Sequence, residues 1–307
     1  MGDMRRVFVR RRSLGDVVLL GAVTAVSPGC AVVTSARYAA LARRLVGVDE
    51  VAVWPEVPAG ERIALDSRRG WALGHRRART HALRRWARML LRRWPAPRPS
   101  VPFLYGHAAG VLPAPPPWIA VPPSPRDALV LLPGASTPLK RWAPDRFAAL
   151  GLRWEGPVIV VGSAAEAALV RQVGGAIPGA TVLADDGFDE AIHAFGSARV
   201  AVGGDSGLLH LAGACGAPLV ALFGPTAPSD GFWVYPGQVV QRDLACRPCT
   251  RHRRQHCPLG HHACLRDLTV DAVWAAVAAV SSTVDQSKQA PAAHPKLPSS
   301  VTKESDP

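Results

Sequence analysis

Residues 200–223 constrain the fold more than any other stretch of the chain. Val200-Ala201-Val202 is an apolar run suited to a buried strand, and Gly203-Gly204-Asp205-Ser206-Gly207 is a turn. Leu208, Leu209, Leu211 and Ala212 give the next segment the apolar face of a helix, which Asp205 or Ser206 caps and Gly216 with Pro218 ends. Leu219 to Phe223 is a second buried strand. The result is a β-α-β unit, with its 203–207 turn at the carboxyl end of a parallel strand. Open α/β sheets bind ligands there, and the free N–H groups of the following helix suit an anion. A turn of small residues lets a phosphate-bearing ligand approach the backbone, and His210 lies one helical turn further on. Alone, such a turn is a weak signal and could be an ordinary tight turn of an α/β protein.

The rest of the chain repeats the alternation. In the N-terminal part we expect strand 6–10, helix 16–26, strand 31–34, helix 37–46, and strands 50–53 and 62–66. After residue 127 we expect strand 128–132, helix 144–151, strand 157–161, helix 164–174, strand 181–183 and helix 188–196, and near the end a helix over 270–280. Alternation of this kind predicts parallel sheets with helices on their faces. Residues 95–127 hold eleven prolines and are expected to be an extended linker. The expected domains are therefore 1–94 and 128–280, with a polar, disordered tail over 281–307. Two α/β halves on such a linker suggest a cleft between them, where ligand sites are favoured. The apolar run 17–26 follows three arginines but abuts Asp16, so a strand, turn and helix explain it better than a signal peptide. No run approaches the roughly 20 apolar residues that span a bilayer, and we expect a cytoplasmic chain with reduced cysteines.

Three further strand ends carry candidate chemistry. Ser13-Leu14-Gly15-Asp16 opens the first helix, where an acid is either a stabilising helix-start residue or a carboxylate free to act as a base. Leu131 to Trp142 reads LLPGASTPLKRW. Its Ser136 and Thr137 are hydroxyl donors for phosphate oxygens, and Lys140 is either a solvated surface lysine or a mobile charge that stabilises a leaving phosphate. Trp142 is more simply a packing residue. Gly162-Ser163-Ala164-Ala165-Glu166 follows the next strand, and alone Glu166 is a first-turn helix acid.

These four loops, in this order, resemble the bacterial lipopolysaccharide heptosyltransferases of glycosyltransferase family 9. The family's D-[ST]-G-x-x-H core followed by L-F-G-P-T matches Asp205, Ser206, Gly207 and His210 with Leu222-Phe223-Gly224-Pro225-Thr226. Its G-[AS]-x-x-x-x-K-x-W loop matches Gly134 to Trp142, and its strand-end G-D matches Gly15-Asp16. The resemblance implies an α/β fold of the GT-B class, two Rossmann-like domains with parallel sheets facing a central cleft. It implies an inverting transfer of heptose from ADP-heptose to the lipid-A-linked core oligosaccharide of lipopolysaccharide, with no cofactor needed for catalysis. It makes Asp16 the base and Lys140 the leaving-group cation. Ser136, Thr137, Glu166, Asp205, Ser206, Gly207 and His210 become contacts to the nucleotide sugar, Glu166 to the nucleoside. A family member using another nucleotide sugar or acceptor would keep the same loops.

Two features stand apart. Cys246, Cys249, Cys257 and Cys264, with His252, His256, His261 and His262 among them, suit either a structural zinc site away from the transfer centre or unligated thiols. Cys30 and Cys215 are expected in the core. The formal net charge of +13 is almost all arginine and implies an anionic partner. Eleven arginines and no acid lie between Arg68 and Arg98. On an expected helix over 75–94, Leu83, Trp86, Met89, Leu90 and Trp94 share one face, and Arg84, Arg85, Arg88 and Arg92 cover much of the rest. That helix either packs on the N-terminal sheet with a solvated basic face or faces an anionic membrane surface, which would make the protein peripheral to the inner membrane. A basic zinc-containing nucleic-acid-binding protein would not need the phosphate-type loops and lacks a recognised fold signature, so no nucleic acid is expected. A dinucleotide oxidoreductase would want G-x-G-x-x-G after the first strand, where residues 10–16 hold a single glycine.

Overall fold

Val7, Phe8 and Val9 are apolar without alternation, so this part of their strand must be covered on both faces. In the computed structural model they are the buried part of β1 (Arg6–Val9). The structure describes residues 5–65, 101–111, 116–185, 187–230, 235–250 and 254–287. They fall into two compact units, the second beginning at Ala120.

In the first unit β1 leads through α1 (Leu14–Val18) and α2 (Gly21–Thr24) to β2 (Cys30–Thr34), then α3 (Ala36–Ala42), β3 (Val48–Val53) and β4 (Glu61–Ala64). All pairings are parallel and the order is β3-β2-β1-β4. The central β2 is buried throughout, whereas the edge strands are half exposed. The single helix expected over 16–26 is two short ones. At Gly21 the backbone of Pro117 and Trp118 comes so close that a Cβ would lie 3.1 Å from the Trp118 nitrogen. Within the expected linker, residues 101–109 are not extended but form a helix, α4 (Val101–Ala109). Pro102 falls in its first turn, where the missing N–H costs nothing, and no further proline follows until Pro113. The expected helix over 75–94, with Arg84, Arg85, Arg88 and Arg92, lies outside the described residues.

The second unit carries β5 (Ala128–Leu132), α5 (Pro144–Gly151), β6 (Val158–Gly162), α6 (Ala167–Gly175), β7 (Thr181–Ala184), α7 (Phe188–Gly196), β8 (Ala198–Gly204), α8 (Gly207–Ala214), β9 (Leu219–Phe223) and β10 (Gly237–Gln241). Two helices close it, α9 (Ala263–Arg266) and α10 (Val270–Ser287). The six strands are parallel in the order β10-β9-β8-β5-β6-β7. Val273, Val277 and Val280 recur at helical spacing along α10 and join the core. Trp142 and Phe147 meet edge to face at 5.1 Å in the same core, and the indole N–H of Trp142 donates to the Leu268 carbonyl at 2.9 Å. The tail expected from Ser281 is still helical to Ser287. Ser281, Ser282 and Thr283 return their hydroxyls to the carbonyls of Ala278, Ala279 and Val280, so polar residues prolong α10 without an apolar face. Cys30 and Cys215 are both buried, as expected.

The strand order fixes where a site can form. From β5 the chain winds outward through β6 and β7, then returns to place β8, β9 and β10 on the other side of β5. The connections therefore diverge between β5 and β8, and ligands of open α/β sheets bind outside the carboxyl ends at such a switch point. In the first unit the equivalent point lies between β1 and β4.

Candidate active site

The loops that leave β5 and β8 meet directly. The Lys140 Nζ lies 2.7 Å from the Asp205 Oδ2, an ion pair joining residues 65 positions apart. Lys140 is not the mobile surface charge its sequence context allowed: its side chain is 7% exposed, against 22% for Asp205. Gly204 permits this approach, since a Cβ there would lie 2.8 Å from the Lys140 carbonyl. A buried ammonium needs a compensating charge, and Asp205 supplies it.

Ser206 caps α8, its Oγ accepting from the Leu209 N–H at 3.3 Å. Gly207 is the first helical residue, and His210 is buried one turn in. Ahead of Lys140, Ser136 is exposed and Thr137 is buried, with no protein partner for its hydroxyl. Glu166 comes from the adjacent β6 loop. It closes a capping box, accepting from the Ser163 N–H at 3.2 Å and the Ser163 Oγ at 2.8 Å. Its carboxylate lies so close to Gly134 that a Cβ there would fall 2.3 Å from it. Arg141 ties the two loops together, donating to the Ala135 carbonyl at 3.0 and 3.1 Å with its guanidinium 4.0 Å from Glu166. The structure thus brings Lys140, Asp205, Ser206, Gly207 and His210 to one switch point, with Ser136, Thr137 and Glu166 on the adjoining loops.

Asp16 belongs to the first unit, at its own switch point. It lies in the first turn of α1 but does not cap it: the N-cap is Ser13, at φ 69°, with no side-chain cap. The Asp16 carboxylate instead accepts from Arg10, whose other guanidinium nitrogen donates to the Leu65 carbonyl at 2.6 Å beyond the end of β4. The Tyr105 hydroxyl donates to the Asp16 carbonyl at 3.4 Å.

The cysteine-rich segment lies against the loops of the second unit's switch point and is not remote from them. Among the described residues no three His, Cys, Asp or Glu side chains are grouped as one metal ion requires. The His262 Nε2–H donates to the Leu139 carbonyl at 2.8 Å, and the His261 Nδ1 accepts from the Ala263 N–H at 2.9 Å. Cys249 lies within electrostatic reach of Cys246 and Cys257, and Cys264 within reach of Cys249 and Cys257. His262 touches the Lys140 loop, and Arg247 holds the loop after β9, donating to the carbonyls of Gly224 and Thr226. The Cys249 N–H donates to the Pro225 carbonyl at 3.0 Å. The thiols sit in contrasting surroundings: burial pushes Cys249 and Cys264 up, while backbone N–H groups, that of His262 first, pull Cys257 down.

Sequence reading passed over Arg10, Arg141 and Arg247. Each is next to a residue that drew attention, but arginine is so abundant in this chain that position alone did not single them out.

A protein-family model for glycosyltransferase family 9 (heptosyltransferase) matches residues 78–262, more than half of the chain. A lipooligosaccharide heptosyltransferase 2 of Campylobacter jejuni serotype O:2 is 38% identical over 71 residues, 22% of this chain and 21% of that protein, so the match spans about a fifth of the curated relative's length. Among solved structures, E. coli ADP-heptose lps heptosyltransferase II superposes with a TM-score of 0.63 at 20% identity, over 92% of this chain and 100% of that one. A family 9 glycosyl transferase from Veillonella parvula gives 0.63 at 17% identity, over 92% and 98%. These likenesses show the fold, and the two parallel-sheet units are the GT-B class of α/β architecture. With four loops matching the family's motifs and the family model covering most of the second unit, the chain belongs to glycosyltransferase family 9.

Proposed function

We propose that the protein is an inverting glycosyltransferase that moves heptose from ADP-heptose to the lipid-A-linked inner core of lipopolysaccharide. The observation that carries this reading is the Lys140–Asp205 pair at the switch point of the second unit, at the head of a helix whose free N–H groups attract an anion. A diphosphate next to an unpaired Asp205 would be repelled. Paired with Lys140, the carboxylate is neutralised and the ammonium is fixed where charge grows as the nucleotide departs. Fixed charge of this kind needs no reorganisation in the transition state, and losing one such donor costs about 3–4 kcal/mol. Ser136 and Thr137 are the hydroxyl contacts to the phosphates, and Glu166 is the contact to the nucleoside.

Asp16 is the base. As the acceptor oxygen attacks the anomeric carbon, its proton passes to the Asp16 carboxylate and the bond to the nucleotide breaks, inverting the configuration. Arg10 holds the carboxylate in place. The first unit takes the acceptor and the second the donor. The acceptor's anionic groups find cations in the first unit: the Arg11 and Arg62 guanidiniums lie 4.5 and 5.5 Å from the ring centre of the half-exposed Trp54. Among the described residues no helix is long and apolar enough to cross a membrane. A cytoplasmic protein resting on the inner membrane through Arg84, Arg85, Arg88 and Arg92 meets such an acceptor at its surface.

The test is ADP release from ADP-heptose with a purified, heptose-deficient core lipid. The reading expects acceptor-dependent ADP release that survives EDTA, and salt-sensitive association with anionic but not neutral vesicles. Release from another nucleotide sugar alone would keep the family chemistry and overturn the heptose. Release abolished by EDTA and restored by magnesium would overturn the metal-independent mechanism.

A further inference from the structure

The helix α8 carries His210 and Gly213 three residues apart, so both lie on one face. What covers that face is Tyr235, which comes from a different part of the chain, just ahead of β10. Its ring meets the His210 ring edge to face, with centroids 6.0 Å apart and planes at 65°. The ring lies directly on Gly213: a Cβ there would come within 2.3 Å of Tyr235 Cγ and within 2.7 Å of both Cδ atoms. Any side chain at 213 would therefore drive the ring off the helix and away from His210.

The backbone beneath Tyr235 is equally fixed. The Leu219 N–H donates to the Pro236 carbonyl at 2.9 Å. Gly237, at φ +143°, packs against the start of β9 so tightly that a Cβ would lie 2.0 Å from the Leu219 carbonyl oxygen. The phenol contributes nothing polar to this arrangement. Tyr235 is 4% exposed and its buried hydroxyl has no hydrogen-bond partner. Burial pushes its titration well above the usual tyrosine range, so it stays neutral. A tyrosine whose hydroxyl is unused but whose ring lies between a glycine and a histidine, on a backbone held by the start of β9, acts through its ring.

We propose that Tyr235 is a positioning residue for His210: its ring, seated on Gly213, sets the orientation in which the histidine meets the nucleotide sugar. This rests on the reading of His210 as a donor contact, and the experiment separates the two. ADP affinity of the full chain is measured by calorimetry for His210→Ala, Tyr235→Phe, Tyr235→Leu and the Tyr235→Leu/His210→Ala double variant. Tyr235→Phe keeps the ring, so it should bind ADP like the unmodified protein and unfold at the same or a higher temperature. Tyr235→Leu should weaken ADP binding by about three- to tenfold, the range of an aromatic pair. In the His210→Ala background that loss should vanish, because a residue acting only through His210 has nothing left to position. Gly213→Ala, which displaces the ring while keeping both side chains, should reproduce the loss and its disappearance, and it decides the matter if Tyr235→Leu does not fold. An equal further loss in the His210→Ala background, or folded Tyr235→Leu with unchanged affinity, would overturn the positioning role and leave the donor site intact. His210→Ala binding ADP as tightly as the unmodified protein would overturn both.

Discussion

The two units bridge their switch points with the same pair of charges, built in opposite ways. In the second unit Lys140 reaches Asp205 across 65 residues, from the loop of β5 to that of β8. In the first, Arg10 and Asp16 are six residues apart on one loop, and the arginine's second nitrogen extends to Leu65 beyond β4. The long-range pair exists only when β5 and β8 have paired, and in the proposed function it holds a cation for a phosphate. The local pair needs only the end of β1 and the first turn of α1, and in the proposed function it holds the base. A nucleotide needs several loops at once, whereas a base needs one carboxylate held still. That contrast predicts that damage to the two pairs will separate kinetically.

The sharpest break would come from Asp16→Ala. Turnover should fall by about 10²- to 10⁴-fold, the range of a general base, with ADP affinity unchanged in calorimetry. A variant as active as the unmodified protein and merely less stable would reduce Asp16 to a structural acid of α1. Lys140→Ala should cost about 10²- to 10³-fold in kcat and, unlike Asp16→Ala, should also weaken ADP. Full ADP affinity in that variant would place the phosphates elsewhere and dissolve the contrast.

A smaller effect tests the support of the second site. Arg247→Ala removes the guanidinium from the Gly224 and Thr226 carbonyls. It should destabilise the protein by about 2 kcal/mol, the scale of a lost charged hydrogen bond, read as a lower midpoint in chemical denaturation. ADP affinity should fall only slightly. An unchanged midpoint would mean the loop after β9 holds itself.

How much of this was legible in the sequence follows from where each feature is encoded. β5, α5, α7 and β9 are legible because each is an apolar run or an amphipathic turn bounded by glycine or proline. β10 was missed: Gly237 to Gln241 is an exposed edge strand, half polar and without apolar alternation. The two-helix break at Gly21 and the helix at 101–109 depend on what packs against them. The loop residues Lys140, Asp205 and Ser206 were legible as a motif and the cap at Ser206 with them, but the ion pair was not, since pairing over 65 residues is a property of strand order. The spacing of the cysteines suits a structural zinc or free thiols alike, and it carries no sign that His261 and His262 meet backbone groups.

The least of the expected effects is alkaline. Burial pushes the Cys30 thiol in the first unit from 9.0 up to about 11, and burial raises Cys215 in the second further still. Both are neutral when folded and ionise more readily when unfolded. Their stabilisation is complete below pH 9 and is lost as pH rises above it, through about 11 for Cys30. Cys30→Ala should flatten that loss by up to about 3 kcal/mol between those limits, measured by denaturant unfolding across the range. An identical alkaline slope in the variant would remove Cys30 from the account.

The central claim is that the second unit holds a nucleoside diphosphate through the Lys140–Asp205 switch point. Calorimetric titration of the purified full chain with ADP, UDP and GDP tests it most directly. The account predicts saturable binding of ADP in preference to UDP and GDP, with affinity lost in Lys140→Ala and retained in Asp16→Ala. Folded protein that binds none of the three, or binds ADP equally well without Lys140, would contradict it.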